Sequence, residues 1–142
     1  MNDDDDRRPV AGAEVRVLAD GRDQLVEVRR WVERLLGDVV DPQAMGDVLL
    51  VVTELVSNAY DHGRRALEVR VVRPSWRTRR VRVEVDDTSS ELPVLGRSRI
   101  ADSRGMGLVL VNALSAAWGT LPRPGGKTVW ADITAPAVAA TG

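Results

Sequence analysis

Apolar residues recur along the chain with two periods, and the change from one to the other marks out its elements. From Asp23 to Leu36, Leu25, Val28, Val32 and Leu35 fall at helical spacing with Trp31 beside them and Gly37 as a stop, which predicts an amphipathic helix. A short extended piece, Glu14 to Ala19, precedes it. A second helix is predicted from Pro42 to about Asp61: the Asp41 side chain suits a cap, proline suits the first helical position, and Gly63 ends the run. Its apolar stripe is Met45, Val48, Val52, Leu55 and Ala59. Two strands follow, Leu67 to Val72 and Val81 to Asp86, each alternating apolar and charged residues, with Arg73 to Arg79 as the hairpin loop between them. From Thr88 to Arg104 the pattern gives way to Ser, Pro, Gly and Arg; a loop of that length is a candidate lid. Gly105 then opens a third helix through about Trp118, apolar almost all round and so expected to be largely buried. Gly119 to Leu121 and Lys127 to Thr134 read as a second hairpin, turned by residues 122–126. The sum is an α+β fold, a two-layer sandwich of a mostly antiparallel sheet of four or five strands with helices on one face.

Length and composition narrow the chemistry more than the fold. The 142 residues suit one domain, read as residues 13–134 with the lid at 88–104. An acidic tail over residues 1–12, with Asp3 to Asp6 in a row, and an Ala/Pro/Gly-rich tail over 135–142 are expected to be disordered. No cysteine is present, which excludes thiol catalysis and Cys-based metal sites, and a single histidine removes His-rich ones. With 20 Lys+Arg against 21 Asp+Glu, the net charge of −1 gives no global case for nucleic acid or an acidic membrane. The start lacks the basic and apolar regions of a secretory signal and no apolar run is long enough to span a bilayer, so the cytoplasm is the expected compartment.

Three places carry candidate chemistry. Asp47, Glu54, Asn58 and Asp61 are spaced by 7, 4 and 3 residues, which sets them near one another on a helix face distinct from the apolar stripe. A solvated face explains Asp47 and Asp61 as well as a pocket does, but Glu54 and Asn58 lie within an apolar run where a solvent face would show Lys or Arg, so they are read as pocket-lining. Asp87 continues the parity of Val81, Val83 and Val85 onto the core side, either to meet a partner or to cap the turn that follows. Ser103-Arg104-Gly105-Met106-Gly107 places two glycines at a loop-to-helix junction, a turn or a phosphate seat where free N–H groups and the helix dipole favour an anion. Gly125-Gly126-Lys127-Thr128 is not a P-loop, because Leu121 stands where its first glycine belongs and a strand follows. The arginines of the first hairpin, with Trp76, are read as a solvated edge or protein contact and not as a nucleic-acid stripe.

In order and spacing these pieces resemble the GHKL ATPases, the gyrase, heat-shock chaperone and histidine-kinase superfamily built on the Bergerat ATP-binding fold. Glu54 to Gly63, reading ELVSNAYDHG, resembles the N box; the strand ending in Asp87 resembles the G1 box; Gly105-Met106-Gly107-Leu108 resembles the G2 box; and Gly126 to Trp130 resembles the final strand. The ending Val111 to Gly119 is most similar to the anti-sigma-factor serine kinase branch of actinobacterial type. The resemblance implies Glu54 as general base, Asn58 as a ligand of Mg²⁺, Asp87 as acceptor for the adenine amino group with Thr128 in support, and Gly105, Gly107 and Arg104 at the phosphates, under a lid at 88–104. It implies ATP and Mg²⁺ as cofactors, a sigma factor and an anti-sigma antagonist as partners with a homodimer possible in the family, and transfer of phosphate to an antagonist serine. One departure stands out: Asp87-Thr88-Ser89-Ser90-Glu91 lacks both glycines of the D-x-G-x-G pattern. The alternative is therefore a non-catalytic partner-switching module with weakened ATP use. With no phosphoacceptor-histidine helices, and the lone His62 inside the N box, a conventional two-component histidine kinase is disfavoured.

Overall fold

The computed structural model describes residues 12–18, 24–63, 67–87 and 103–136; at 17–18, 61–63, 67, 87 and 103–108 it describes the backbone path alone. Its elements are β1 (Ala13–Leu18), α1 (Gln24–Leu36), α2 (Pro42–Gly63), β2 (Leu67–Val72), β3 (Arg80–Asp87), α3 (Ser103–Leu114), β4 (Ala117–Arg123) and β5 (Gly126–Thr134). The strands form one sheet in the order β1-β2-β3-β5-β4, every neighbouring pair antiparallel.

Helix α2 begins as its sequence dictates. The Asp41 carboxylate accepts a hydrogen bond from the Ala44 backbone N–H at 2.8 Å, and Pro42 takes the first position, where its missing donor is not needed. The helix is the centre of the molecule, packing on α1, α3 and strands β2, β3 and β5. So many neighbours widen its buried face from a stripe to a band: Ala44, Val48, Val51, Val52, Leu55, Val56 and Ala59 are all buried. Beneath it, Val69 and Val71 of β2, Val81, Val83 and Val85 of β3, and Val129, Ala131 and Ile133 of β5 supply the inner face of the sheet. Burial of each valine side chain is worth roughly 1.5–3 kcal/mol, so this row holds the two layers together.

Several boundaries differ from those read from the sequence. Helix α3 stops at Leu114, not Trp118: the Ser115 N–H still bonds Val111 O, but the Ala116 N–H turns to Asp132 O and Trp118 is paired with Ala131. Nor is α3 buried all round, since it packs mainly on α2; Val111 is fully buried while its neighbours Val109 and Leu110 are exposed. The second hairpin turns on Pro124 and Gly125 alone, Gly125 holding the positive φ that only glycine adopts cheaply. Pro122 lies inside β4 opposite Lys127, tolerated because β4 is an edge strand. Ala135, assigned to the flexible tail, is fully buried and donates its N–H to Arg79 O at 2.9 Å. Of the expected lid, Ser103 and Arg104 belong to α3, and the remainder lies outside the described residues, as do most of the two tails.

The sheet face away from the helices is a charge network. Arg70 donates to Glu84 at 2.8 Å, to Glu68 at 3.0 Å and through both terminal nitrogens to Asp86 at 2.7 and 2.9 Å. Arg82 donates to Glu84 and Asp132 and lies 4.4 Å over the Trp130 ring. Cross-strand pairing of opposite charges satisfies Arg70 and Glu84, both buried.

Candidate functional site

Topology brings the candidate residues to one end of the sandwich. The C-terminal half of α2 runs toward the edge where β2 begins, only residues 64–66 intervening before Leu67. Because Val69 lies opposite Val85, that edge is also where β3 ends at Asp87. Helix α3 runs the other way: it feeds β4 at Ala117, opposite Asp132, which itself pairs with Arg82 at the far end of the sheet. Its N-terminus therefore points back to the Asp87 end, with Arg104, Gly105 and Gly107 in its first two turns. The helix opens at Ser103, two residues before Gly105, so the N–H groups of Ser103, Arg104 and Gly105 have no preceding helical turn to bond to.

Glu54 and Asn58, one turn apart on α2, share a face. Burial pushes the Glu54 carboxyl above the ordinary glutamate range, which suits a group that must take up a proton. Asn58 is only 8% exposed, and neither its Nδ2 nor its Oδ1 has a hydrogen-bond partner among the described residues. An unsatisfied buried polar group costs about 1–3 kcal/mol, and native structures keep few of them. Such an amide is the chemistry of a ligand site: Oδ1 suits a hard cation and Nδ2 an acceptor. Asp47 sits half-buried two turns before Glu54, and the backbone of Asp61 continues the same helix toward the site.

The sheet contributes differently from the sequence reading. By register Asp87 continues the alternate positions of Val81, Val83 and Val85, and its backbone pairs with Lys127 of β5. Thr128 does not accompany it. Thr128 pairs with Asp86, and its hydroxyl donates to Asp86 Oδ1 at 2.6 Å while accepting from Arg123 Nε at 2.6 Å, on the face away from the helices. Burial alone would raise the Asp86 carboxyl, but hydrogen bonds from Arg70 and Thr128 and the charges of Arg70 and Arg123 outweigh it and hold Asp86 below its ordinary value. The residue opposite Asp87 is Lys127, 3% exposed and on the inner row with Val129, Ala131 and Ile133. Counting in twos back from Val129 identifies Lys127 from sequence alone; the signal was strand parity, and the likeness of the Lys127-Thr128 pair to a motif concealed it.

The architecture is thus an α+β sandwich with an unpartnered amide, a half-buried carboxylate and a helix N-terminus gathered at one end. The chain matches the family model for the histidine kinase-like ATPase domain over residues 18–133, and it belongs to that family. Membership implies ATP binding, for which magnesium is the usual companion. A solved structure of similar fold is a chain in the crystal structure of the SiaB–SiaC complex from Pseudomonas aeruginosa, at 16% identity and a TM-score of 0.59, covering 84% of this chain and 88% of that one. No curated protein sequence matches. Among the described residues no helix is long and apolar enough to cross a membrane.

Proposed function

We propose that the chain is an ATP-dependent serine kinase of the anti-sigma type, which sequesters a sigma factor and phosphorylates an antagonist protein on serine. The observation that carries this reading is Asn58: a buried amide with both polar atoms unpartnered, one helical turn from a carboxyl whose pKa is raised. Magnesium fits there with Asn58 Oδ1 as its single protein ligand, because it draws most of its shell from phosphates and water. Among the described residues no group of three or more His, Cys, Asp or Glu stands together to cage it instead. When bound, Mg·ATP supplies the phosphoryl group and neutralises its charge.

The chain's own residues do the rest. Glu54 accepts the proton of the attacking serine hydroxyl; its half-buried carboxyl keeps a higher proton affinity than a solvated glutamate. Gly105, in the first turn of α3, offers a free backbone N–H to phosphate oxygens, Gly107 two residues on adds no side chain to bar their approach, and Arg104 adds charge beside them. Asp87 accepts from the adenine amino group. That a chain of similar fold is solved in a two-protein complex supports a protein partner.

A second reading is a non-catalytic partner-switching module, favoured by Lys127. An ammonium placed opposite Asp87 competes with the base for its carboxylate, at the same place where the G1 glycines are missing. Titration calorimetry with ATP, with and without Mg²⁺, on wild type and Asp87→Asn, separates the two. Saturable, Mg²⁺-dependent binding lost in Asp87→Asn, followed by transfer of the γ-phosphate to a serine-bearing antagonist, supports the kinase. Absence of binding at millimolar ATP refutes it and leaves the module.

A further inference from the structure

The β2–β3 hairpin, at the opposite end of the sheet from the candidate site, carries chemistry that neither reading uses. From Arg73 to Arg82 the chain holds five arginines and no acidic residue. Arg82 is committed to Glu84 and Asp132. Arg73, Arg77, Arg79 and Arg80 are all exposed, and none has a carboxylate partner among the described residues. Trp76 at the tip is 78% exposed, well beyond any other large apolar residue described, with the Arg77 guanidinium 5.1 Å from its ring centroid.

The tip is held in shape and does not owe its exposure to slack. Ser75 Oγ accepts from the N–H groups of Arg77 and Thr78 at 3.2 and 3.1 Å, and Thr78 Oγ1 accepts from the Ser75 N–H at 3.0 Å. The Arg79 N–H closes on Ser75 O at 2.8 Å with Arg79 at a φ of 51°, a conformation costly for a residue other than glycine. Pro74 is buried behind it, and Ala135 ties to Arg79 O. A rigid, outward tryptophan among four arginines with no carboxylate partner among the described residues is built for contact with an acidic, partly apolar surface.

The chain itself supplies an occupant of that chemistry. Ala13 pairs with Val72, so the polypeptide enters β1 directly beside the base of the hairpin. Asp3 to Asp6 lie 7 to 10 residues ahead of Ala13, a reach of up to roughly 24–34 Å, while Trp76 is four residues beyond Val72, at most about 14 Å away. By chain length, four aspartates are thus within reach of four arginines that have no carboxylate partner among the described residues, at an effective concentration on the order of millimolar, as short tethers give.

We propose that the 73–80 hairpin is a docking surface for an acidic protein segment, and that Asp3–Asp6 of the same chain occupies it until such a segment displaces them. This holds whether or not the domain is a kinase. The test is a ¹H–¹⁵N comparison of the full chain with its D3N/D4N/D5N/D6N variant, followed at the Trp76 indole and the backbone amides of residues 75–80. Neutralising the aspartates is expected to shift these resonances and leave those of α2 and β5 in place. Raising salt to 0.5 M is expected to move wild type toward the variant and to leave the variant unmoved. Hexaglutamate, as the probe for an acidic segment, is expected to bind the variant at least threefold more tightly than wild type. Superimposable hairpin resonances in the two proteins would overturn the proposal, as would shifts that depend on protein concentration, which assign the contact to a second copy. Anionic phospholipid vesicles or an oligothymidine binding the hairpin more tightly than hexaglutamate overturn its assignment to protein.

Discussion

Replacing Asn58 by leucine separates what stabilises this domain from what makes it work. The side chains are close in size, so the substitution leaves little void, and it removes two buried polar atoms that have no partner in the ligand-free fold. Each unsatisfied group costs about 1–3 kcal/mol, and the two belong to one amide, so their costs do not simply add. The expected gain in ligand-free stability is therefore about 1–3 kcal/mol, or roughly 3–9 °C in Tm for a domain of this size. Ligand reverses the order. Mg·ATP at a hundred times its Kd stabilises wild type by about 2.7 kcal/mol through mass action, and the leucine variant forfeits that increment along with the Mg²⁺ dependence of nucleotide binding. Thermal melts of both proteins, alone, with ATP and EDTA, and with Mg·ATP, give all the terms. A variant less stable than wild type without ligand refutes the reasoning, because the amide would then be satisfied in the free protein. A variant that keeps its Mg·ATP increment refutes the ligand role even if its stability rises.

The remaining predictions address the neighbouring residues. Glu54→Gln lowers phosphoryl transfer by about 10²–10⁴-fold with ATP affinity kept, and the acid limb of the wild-type rate lies at higher pH than an ordinary glutamate would give; pH–rate profiles check both. Because the folded-state pKa of Glu54 is raised, its ionised form weakens the fold, so Glu54→Gln is more stable than wild type at neutral pH and the difference disappears once the pH falls below the ordinary glutamate value. Arg70→Met strands the carboxylates of Glu84 and Asp86 and costs about 3–5 kcal/mol by urea titration at pH 7. The depressed Asp86 contributes stability above the ordinary aspartate pKa of about 3.9 that wild type loses as pH falls below it; in Arg70→Met that acid-dependent loss is smaller, because only Thr128 and Arg123 still lower the carboxyl. Lys127→Thr tightens ATP binding about tenfold if the ammonium competes for Asp87, an effect of about 1.4 kcal/mol in a calorimetric titration; unchanged affinity removes Lys127 from the base end.

The fold was legible wherever one face of an element decides its fate, and illegible where two residues of opposite parity compete for one role. Helix α2 announces itself through Asp41, Pro42 and an apolar band, and β3 through Val81, Val83 and Val85, because burial on one side leaves no other register. Trp118 misled because a helix and a strand meet within three residues there, and an apolar run without period fits either. Glu54 and Asn58 stood out in the sequence because a solvent face amid valines would show Lys or Arg, and the structure buries Asn58. That the Asn58 amide has no partner among the described residues is a fact of packing that no sequence states.

The pairing of β3 with β5 carries the deepest consequence of parity. Asp86 and Asp87 are chemically alike and adjacent, yet one strand step assigns them to opposite faces and so to opposite tasks. Asp86, with Thr128, Arg70 and Arg123, is neutralised by hydrogen bonds and spends its charge on stability. Asp87, on the inner row, faces Lys127 across the ladder at the end where Asn58 has no partner. A slip of one residue would exchange the two, but it would also turn Val81, Val83 and Val85 to solvent and Arg82 and Glu84 into the core. The hydrophobic row that holds the sandwich together is thus the same constraint that keeps the structural carboxylate and the candidate ligand carboxylate apart, and no substitution at either aspartate alone can trade their roles.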